Sequence, residues 1–421
     1  EAENNESFID RVYVATNLIV DIIDEAEVNR FTYLAVHPFL EKYSEFEKGE
    51  AIVMEVGGGS TELIHFMNGN IVGAQGYRLG SLRLQKLLDE ERIPKARFEK
   101  VLGMHVDRGI GQIRYSLARD KKPLLVALGG DARFATSQIA KEWDRKSPIK
   151  IPLNELLKFT KTIINLSSDE IVNKYHIAYQ DAETLGPALM IYTRLAQAMG
   201  LKNILVCTAT LRDGVLLEMM SGEAWTENFQ RQILSSAREI GRKYNVDMQH
   251  AENVAHFALQ LFSFLQDEHK LPVRYKLFLN VAALLHEVGA YVSTRNHHKH
   301  SLYLIMNCDI FGFGAKDLGI IALIARYHRR SEPKMSHEYY SILDRESRVV
   351  ISKLAAILRV ADALDRSHSP VTRDITVVLQ KGVCIIRMKQ SGDFTLEHQG
   401  LREKSDMFEH IYGRKVILEE K

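Results

Sequence analysis

Cysteine is scarce in this chain: Cys207, Cys308 and Cys384 are the only three in 421 residues, and no two form a Cys-x-x-Cys spacing. No disulfide framework is expected. Each lies in an apolar or mixed segment, which suits buried thiols in a reducing compartment, so the chain reads as cytoplasmic. No apolar run reaches 18 residues and no signal-peptide pattern is present, so no membrane partner is expected. An excess of one charge is lacking too. Lys and Arg total 55 against 54 Asp and Glu, a net of +1, which supplies no global field for nucleic acid. The local clusters Arg295–His300 and Arg326–Arg330 read equally well as solvated surface. Neither a fixed-period repeat nor a low-complexity tract occurs, and 46% hydrophobic with 26% charged residues excludes disordered and fibrous classes. The length suits about three domains.

The most informative stretch is Ala51-Ile52-Val53-Met54-Glu55-Val56-Gly57-Gly58-Gly59-Ser60-Thr61-Glu62-Leu63-Ile64. An apolar run breaks into three glycines and two hydroxyls, which reads as strand, phosphate loop, strand. Glycines at 57–59 allow positive φ and turn amides toward an anion, while Ser60 and Thr61 add donors. Glu55 is placed to hold a divalent cation beside that anion. A glycine-rich hairpin turn would use the same residues.

From Ile19 to about Met220, short β-like runs alternate with helical stretches, an α/β pattern. The runs are Leu18–Ile23, Ile52–Val56, Leu63–Met67, Leu124–Leu128 and Ile204–Cys207; the helices include Lys86–Ile110 and Asp181–Met199. Three runs end in small or hydroxylic residues, at Gly57–Thr61, Gly129-Gly130-Asp131 and Thr208-Ala209-Thr210. Such loops converge at the carboxyl ends of strands in open sheets. Long amphipathic helices fill about Thr226–Arg366. Beyond Ser369-Pro370 come alternating runs at Ile375–Leu379, Val383–Met388 and Phe394–His398, a helix near Leu401–Ile411 and a strand at Lys415–Leu418.

Within the helical part, His256, Leu284-Leu285-His286-Glu287-Val288-Gly289 and Ala361-Asp362-Ala363-Leu364-Asp365 resemble the HD phosphohydrolase superfamily, with Glu287 at the usual Asp. The resemblance implies a metal held by His256, His286, Glu287 and Asp362. His328 is the expected third histidine, and His297 and His298 read as loop surface.

VMEVGGGSTEL (53–63), Tyr77–Leu84, Thr210–Leu216, LLHEVG and IARYHRR together resemble the exopolyphosphatase and guanosine pentaphosphate phosphohydrolase (Ppx/GppA) family over essentially the whole chain. That resemblance implies an α/β actin-like (ASKHA, ribonuclease H-like) phosphatase core, an all-α HD-like domain and a small α+β C-terminal module. The boundaries are 1–36 for a remnant of the first actin-like domain, 37–221 for the second, 222–368 for the HD-like domain and 369–421 for the last. The resemblance implies that the chain begins inside the first domain, past an Asp-x-Gly-Ser type loop; with about a hundred earlier residues the fold would be complete, and without them a half-sheet with an exposed edge would be left.

The resemblance further implies Mg²⁺, inorganic polyphosphate or a guanosine polyphosphate as substrate, and a homodimer. Gly57, Gly58, Gly59, Ser60 and Thr61 match the second phosphate loop, Gly129 and Gly130 another phosphate contact, and Glu55 the metal-binding acid. The family's Gly-x-Glu-Glu-Ala segment places its first Glu on Glu27 and its second, the general base, on Val28. The expected function is therefore exopolyphosphatase-type hydrolysis with Glu27 and Glu55 as catalytic carboxylates. Val28, Glu55 and Asp131 favour the alternative of a non-catalytic polyphosphate or alarmone sensor, and the histidines favour a third, an HD-type metal hydrolase.

Overall fold

The computed structural model describes residues 4–91, 93–116, 122–221, 225–368, 374–388 and 393–420. A six-stranded sheet forms from β1 (Glu50–Val56), β2 (Thr61–Met67), β3 (Asn70–Tyr77), β4 (Leu124–Ala127), β5 (Ile149–Pro152) and β6 (Asn203–Val206), in the order β3-β2-β1-β4-β6-β5. The first three strands are an antiparallel meander, β4 and β6 run parallel to β1, and β5 pairs antiparallel at the far edge. Three parallel carboxyl ends therefore lie side by side, at Val56, Ala127 and Val206.

Alternation along β1 sends its side chains to two different cores. Ile52, Met54 and Val56 pack with Leu185, Leu189 and Tyr192 of the helix Tyr179–Ala198. Ala51 and Val53 face the helix Glu25–Leu40 and a larger core that continues into the helical body. Tyr33 of that helix lies 6.3 Å from Phe66 and 5.6 Å from Phe311, between ring centroids, and Phe229 lies 5.3 Å from Phe311. Burying each such ring contributes about 1.5–3 kcal/mol. The sheet and the helical body thus share one apolar interior across this face.

The helical body is built from Glu227–Lys243, Met248–Phe264, Arg274–Leu285, His297–Met306, Ala315–Arg326 and Arg345–Ala363. Side-chain caps start several of these: Thr226, Asp247 and Asp344 each accept from the amide three residues on. A three-stranded sheet closes the chain, in the order β7 (Ile375–Gln380), β8 (Val383–Met388), β9 (Lys415–Glu420).

Four local expectations are corrected. Leu18–Ile23 forms no strand: it lies irregular between two helices, with Leu18, Ile19 and Ile22 more than half exposed and no neighbouring strand to complete a ladder. Lys86–Ile110 is two helices, Ser81–Glu90 and Lys95–Ser116. Pro94 supplies no N–H and disfavours helix at the residue before it. Phe394–His398 opens a helix, Thr395–Lys404, because Phe394, Glu397 and Leu401 are buried at helical spacing and the Asp393 carboxylate accepts from the Thr395 amide. Strands β3 and β5 were not anticipated. Gly73 and Gly76 dilute the apolar pattern of β3, and β5 is four residues long at a sheet edge.

Candidate functional site

Gly57–Ser60 joins β1 to β2 as a tight hairpin closed by the Gly57 amide on the Ser60 carbonyl at 2.8 Å. None of Gly57–Gly59 has φ in the left-handed region, in correction of the expected positive φ; a Cβ on Gly59 would meet nothing within 4 Å, and one on Gly58 would only touch Leu82 at 3.4 Å. The close approach is at Gly80, where the start of the helix Ser81–Glu90 docks on the loop's carbonyls. The Ser81 amide donates to the Gly57 carbonyl at 2.9 Å, the Arg83 amide to Gly58 at 3.0 Å, and the Arg83 guanidinium to Gly59 at 3.2 Å. A Cβ on Gly80 would stand 2.3 Å from the Gly58 carbonyl oxygen.

This docking determines where the loop's amides point. In a planar trans peptide the N–H of one residue is opposed to the C=O of the residue before it. With the carbonyls of Gly57, Gly58 and Gly59 all turned toward the helix start, the N–H groups of Gly58, Gly59 and Ser60 turn the other way, at an exposed loop. Three consecutive backbone donors therefore lie on the exposed side of the hairpin. The hydroxyls do not join them. Ser60 Oγ donates to Glu62 Oε1 at 2.7 Å, and Thr61 is fully buried with Oγ1 donating to the Leu79 carbonyl at 2.5 Å. Thr61 is thus a strut, in correction of its expected role as a phosphate donor.

Carboxylates gather beside the loop. Glu55 and Glu62 are opposite partners in the β1–β2 ladder, so their side chains share one face of the sheet. Glu25, at the first position of the helix Glu25–Leu40, reaches the same region: a Cβ on Gly76 would lie 2.6 Å from Glu25 Oε1 and 2.8 Å from Glu62 Oε2. The missing methyl makes room for the pair. Burial, then the Glu62 charge, pushes the Glu25 carboxyl above its ordinary value, and burial does the same to Glu55 against the pull of Arg133. Glu27 is not in this group. It forms a capping box with Asp24, accepting that residue's amide at 3.0 Å, and stands 3.7 Å from Arg30, so the expected catalytic role is not supported by its position.

The neighbouring strand ends complete the crevice. Tyr192 Oη accepts from the Val56 amide at 2.9 Å and donates to the Leu128 carbonyl at 2.5 Å, tying the end of β1 to the end of β4. Gly129 has φ of +95°, and a Cβ there would sit 3.1 Å from that hydroxyl. Gly130 starts the helix Gly130–Ile139, whose first turn holds Asp131. Burial and the Asp181 charge push Asp131 up to about 6. Arg133 reaches across to the Ala209 carbonyl at 3.4 Å, so the loops after β1, β4 and β6 meet at one edge.

A second polar group lies inside the helical body. Ligand-capable atoms of His250, His286 and Glu287 all fall within 4.8 Å of one another. Asp362 Oδ1 is 3.8 Å from His250 Nε2, and the Lys404 ammonium holds Asp362 Oδ2. Three of the four expected metal residues, His286, Glu287 and Asp362, therefore converge. His256 does not: its Nε2 meets Asp374 at 2.9 Å on an exposed face. His250 stands on the same helix six residues earlier, a displacement of about 120° around the axis. Sequence reasoning missed it because both histidines fit one helical pattern. His297 and His298, expected on a loop, begin the helix His297–Met306 and are 6% and 5% exposed. His297 Nε2 lies 3.2 Å from His328 Nε2. Burial holds His286 and His328 below the ordinary imidazole value. Burial also opposes protonation of His250, but its bond to Asp365 and the charges of Asp362 and Glu287 outweigh that and raise it.

The fold is that of a mixed α/β protein, with loops gathered at three parallel strand ends and a helical second body fused to one face of the sheet. Comparison with known proteins narrows this class. The Ppx/GppA phosphatase family model matches residues 1–223, and the model of Ppx/GppA phosphatase domain III matches 233–405. The chain belongs to the Ppx/GppA phosphatase family. A guanosine-5'-triphosphate,3'-diphosphate pyrophosphatase of Aeromonas hydrophila subsp. hydrophila is 22% identical over 369 residues, covering 86% of this chain and 70% of that protein. One of Pseudoalteromonas atlantica is 22% identical over 372 residues, covering 86% and 69%. Among solved structures, an exopolyphosphatase from Cytophaga hutchinsonii is 18% identical over 53% of this chain and 73% of its own, with a TM-score of 0.45. Among the described residues no helix is long and apolar enough to cross a membrane.

Proposed function

We propose that this protein is a phosphoanhydride hydrolase that releases the terminal phosphate of inorganic polyphosphate or guanosine pentaphosphate. The observation that supports the reading is the docked loop, whose carbonyls are held by the helix at Ser81 and whose amides at 58–60 are thereby turned away from that helix. An oxyanion there is bound without any side-chain rearrangement. The relatives named for guanosine-5'-triphosphate,3'-diphosphate hydrolysis and for exopolyphosphatase activity support this substrate class.

In this scheme the amides of Gly58, Gly59 and Ser60 hold the terminal phosphate, with the start of the helix at Gly130 adding a favourable dipole. Glu25 and Glu62 orient a water and one accepts its proton. The crowding that raises Glu25 makes it the better acceptor, since a stronger base takes a proton more readily. Glu25 therefore replaces Glu27 as the candidate base, one turn position away from Val28. The donor set also fits Mg²⁺: Glu55 is a largely buried carboxylate on the face shared with Glu62, and carboxylate oxygens suit a hard cation. When bound, that ion supplies neutralisation of charge on the phosphate oxygens.

The test is phosphate release from polyphosphate and from guanosine pentaphosphate with Mg²⁺, alongside direct binding. Glu25→Gln and Glu62→Gln should each lower turnover by about 10²–10⁴ while ligand binding persists. Turnover unchanged in both variants would reject the assignment. Asp131, an acid beside the proposed anion site, favours a second reading as a polyphosphate or alarmone sensor; binding with no turnover in the wild type would select it.

A further inference from the structure

We propose that the cavity at the amino ends of β1, β4 and β6 binds a nucleoside monophosphate whose base carries an exocyclic amine, with Glu50 accepting from that amine and Lys48, Lys122 and Lys202 meeting the phosphate. The cavity lies at the opposite end of the sheet from the glycine loop, and the length of β1, about 20 Å, separates the two. The inference does not rest on the hydrolase reading.

One wall of this cavity holds a buried acceptor in want of a donor. Glu50 opens β1, and its side chain is 3% exposed. His65 Nε2 holds Oε1 at 2.7 Å, whereas Oε2 is buried without a hydrogen-bond partner. A carboxylate oxygen can only accept, so Oε2 calls for an N–H or O–H group, and leaving it without one costs desolvation free energy. The rim is cationic. Lys48 precedes β1, Lys122 precedes β4 and Lys202 precedes β6; all three are exposed, and among the described residues none has a carboxylate within ion-pair distance. Lys150 of β5 is different, because Glu45 already pairs with it at 2.8 Å. Three ammonium groups against the Glu50 carboxylate leave two positive charges, which a phosphate monoester dianion matches.

The volume, about 700 Å³, is that of an ordinary small-molecule site, and Pro123, Leu124, Leu125 and Leu205 supply apolar wall. A matching ligand therefore carries a donor for Glu50, a flat or apolar body for these walls and a dianion for the lysines. A nucleoside monophosphate combines them, since the exocyclic amine of adenine donates, the ring is flat and the phosphate carries the charge. Inorganic phosphate would leave Glu50 unsatisfied. A sugar phosphate would bring donor and dianion, but its hydroxyls would lose water against leucine and proline without gaining partners. The competing arrangement is a rim lysine bent inward to pair with Glu50, which would close the cavity to any nucleotide.

Calorimetric titration of the full chain with AMP should show saturable binding at one site per chain, with adenosine and ribose 5-phosphate, which each carry part of the ligand, binding more weakly. Glu50→Gln keeps the side-chain shape and removes the charge, so AMP affinity should fall about 10-fold while that of ribose 5-phosphate is unchanged. Lys122→Gln and Lys202→Gln alter exposed positions that the fold does not depend on, and they decide the matter if Glu50→Gln fails to fold. Each should weaken AMP about 2–5-fold, flatten its salt dependence and leave adenosine unaffected. Absence of binding at millimolar AMP, as the inward lysine would produce, overturns the proposal. So does an AMP affinity unaltered in Glu50→Gln, Lys122→Gln and Lys202→Gln. Gly80→Ala should bind AMP at wild-type strength; loss of AMP there, with circular dichroism unchanged, would place the nucleotide at the glycine loop and overturn the assignment.

Discussion

The glycine loop and the histidine centre are built in opposite ways. The loop is contiguous, exposed and made of backbone, and its binding atoms are aimed by one helix start that grips three carbonyls in a row. The centre is dispersed over residues 250, 286–287, 362 and 404, mostly buried, and made of side chains, of which His250, His286 and Asp362 each have one polar atom held by a different neighbour. A backbone receptor tolerates sequence change wherever the chain path survives. A side-chain receptor depends on each ligand keeping its helix face.

The contrast is sharpest at Gly80. Gly80→Ala would drive a methyl into the Gly58 carbonyl, and because the obstacle is backbone, relief requires the loop to leave the helix. A stability loss of about 3 kcal/mol is expected in denaturant titration, together with weakened polyphosphate binding. If phosphate binding survives at full strength, amide aiming by the helix is not what makes the receptor.

A smaller effect separates the two regions by pH. Asp131 has its folded value raised from 3.8 to about 6, so its contribution favours the fold below about 3.8 and is lost as pH rises through about 6. Asp131→Asn removes that loss. It should stabilise the protein by about 1–2 kcal/mol at pH 8, after allowing for partial solvent access, and by nothing measurable at pH 4. Equal effects at both values would show that the carboxylate is not buried against Asp181 as described.

The smallest expected change is at His256. Its pair with Asp374 is exposed, so His256→Ala should shift stability by less than about 0.5 kcal/mol, measured by thermal melting. A larger loss would return His256 to the interior and erase the distinction drawn between the two histidines of that helix.

Much of the fold was legible in the chain. β1, β2, β4 and β6 follow from apolar runs punctuated by glycine or hydroxyl residues, and the change to long helices after about residue 226 follows from the change of period. At the site, the order Glu55, three glycines, Ser60 marked the hairpin that joins β1 to β2 and carries the proposed anion loop. The backbone of the loop was not legible: left-handed residues are expected at 57–59, whereas none of the three has positive φ and the tight approach falls on Gly80. Glu27 and Glu25 were equivalent as letters. The capping box claimed one, and the space at Gly76 admitted the other.

Local order along the chain thus determined four strands of the main sheet, the long helices, the glycine hairpin and the family. These depend on periodicity and on backbone freedom, which neighbouring residues express by themselves. Only the tertiary structure decided that Glu25 meets Glu62 and that His250 meets His286 and Asp362. Which face of a helix turns inward is set by what packs against it, and that information is spread over residues far apart in sequence.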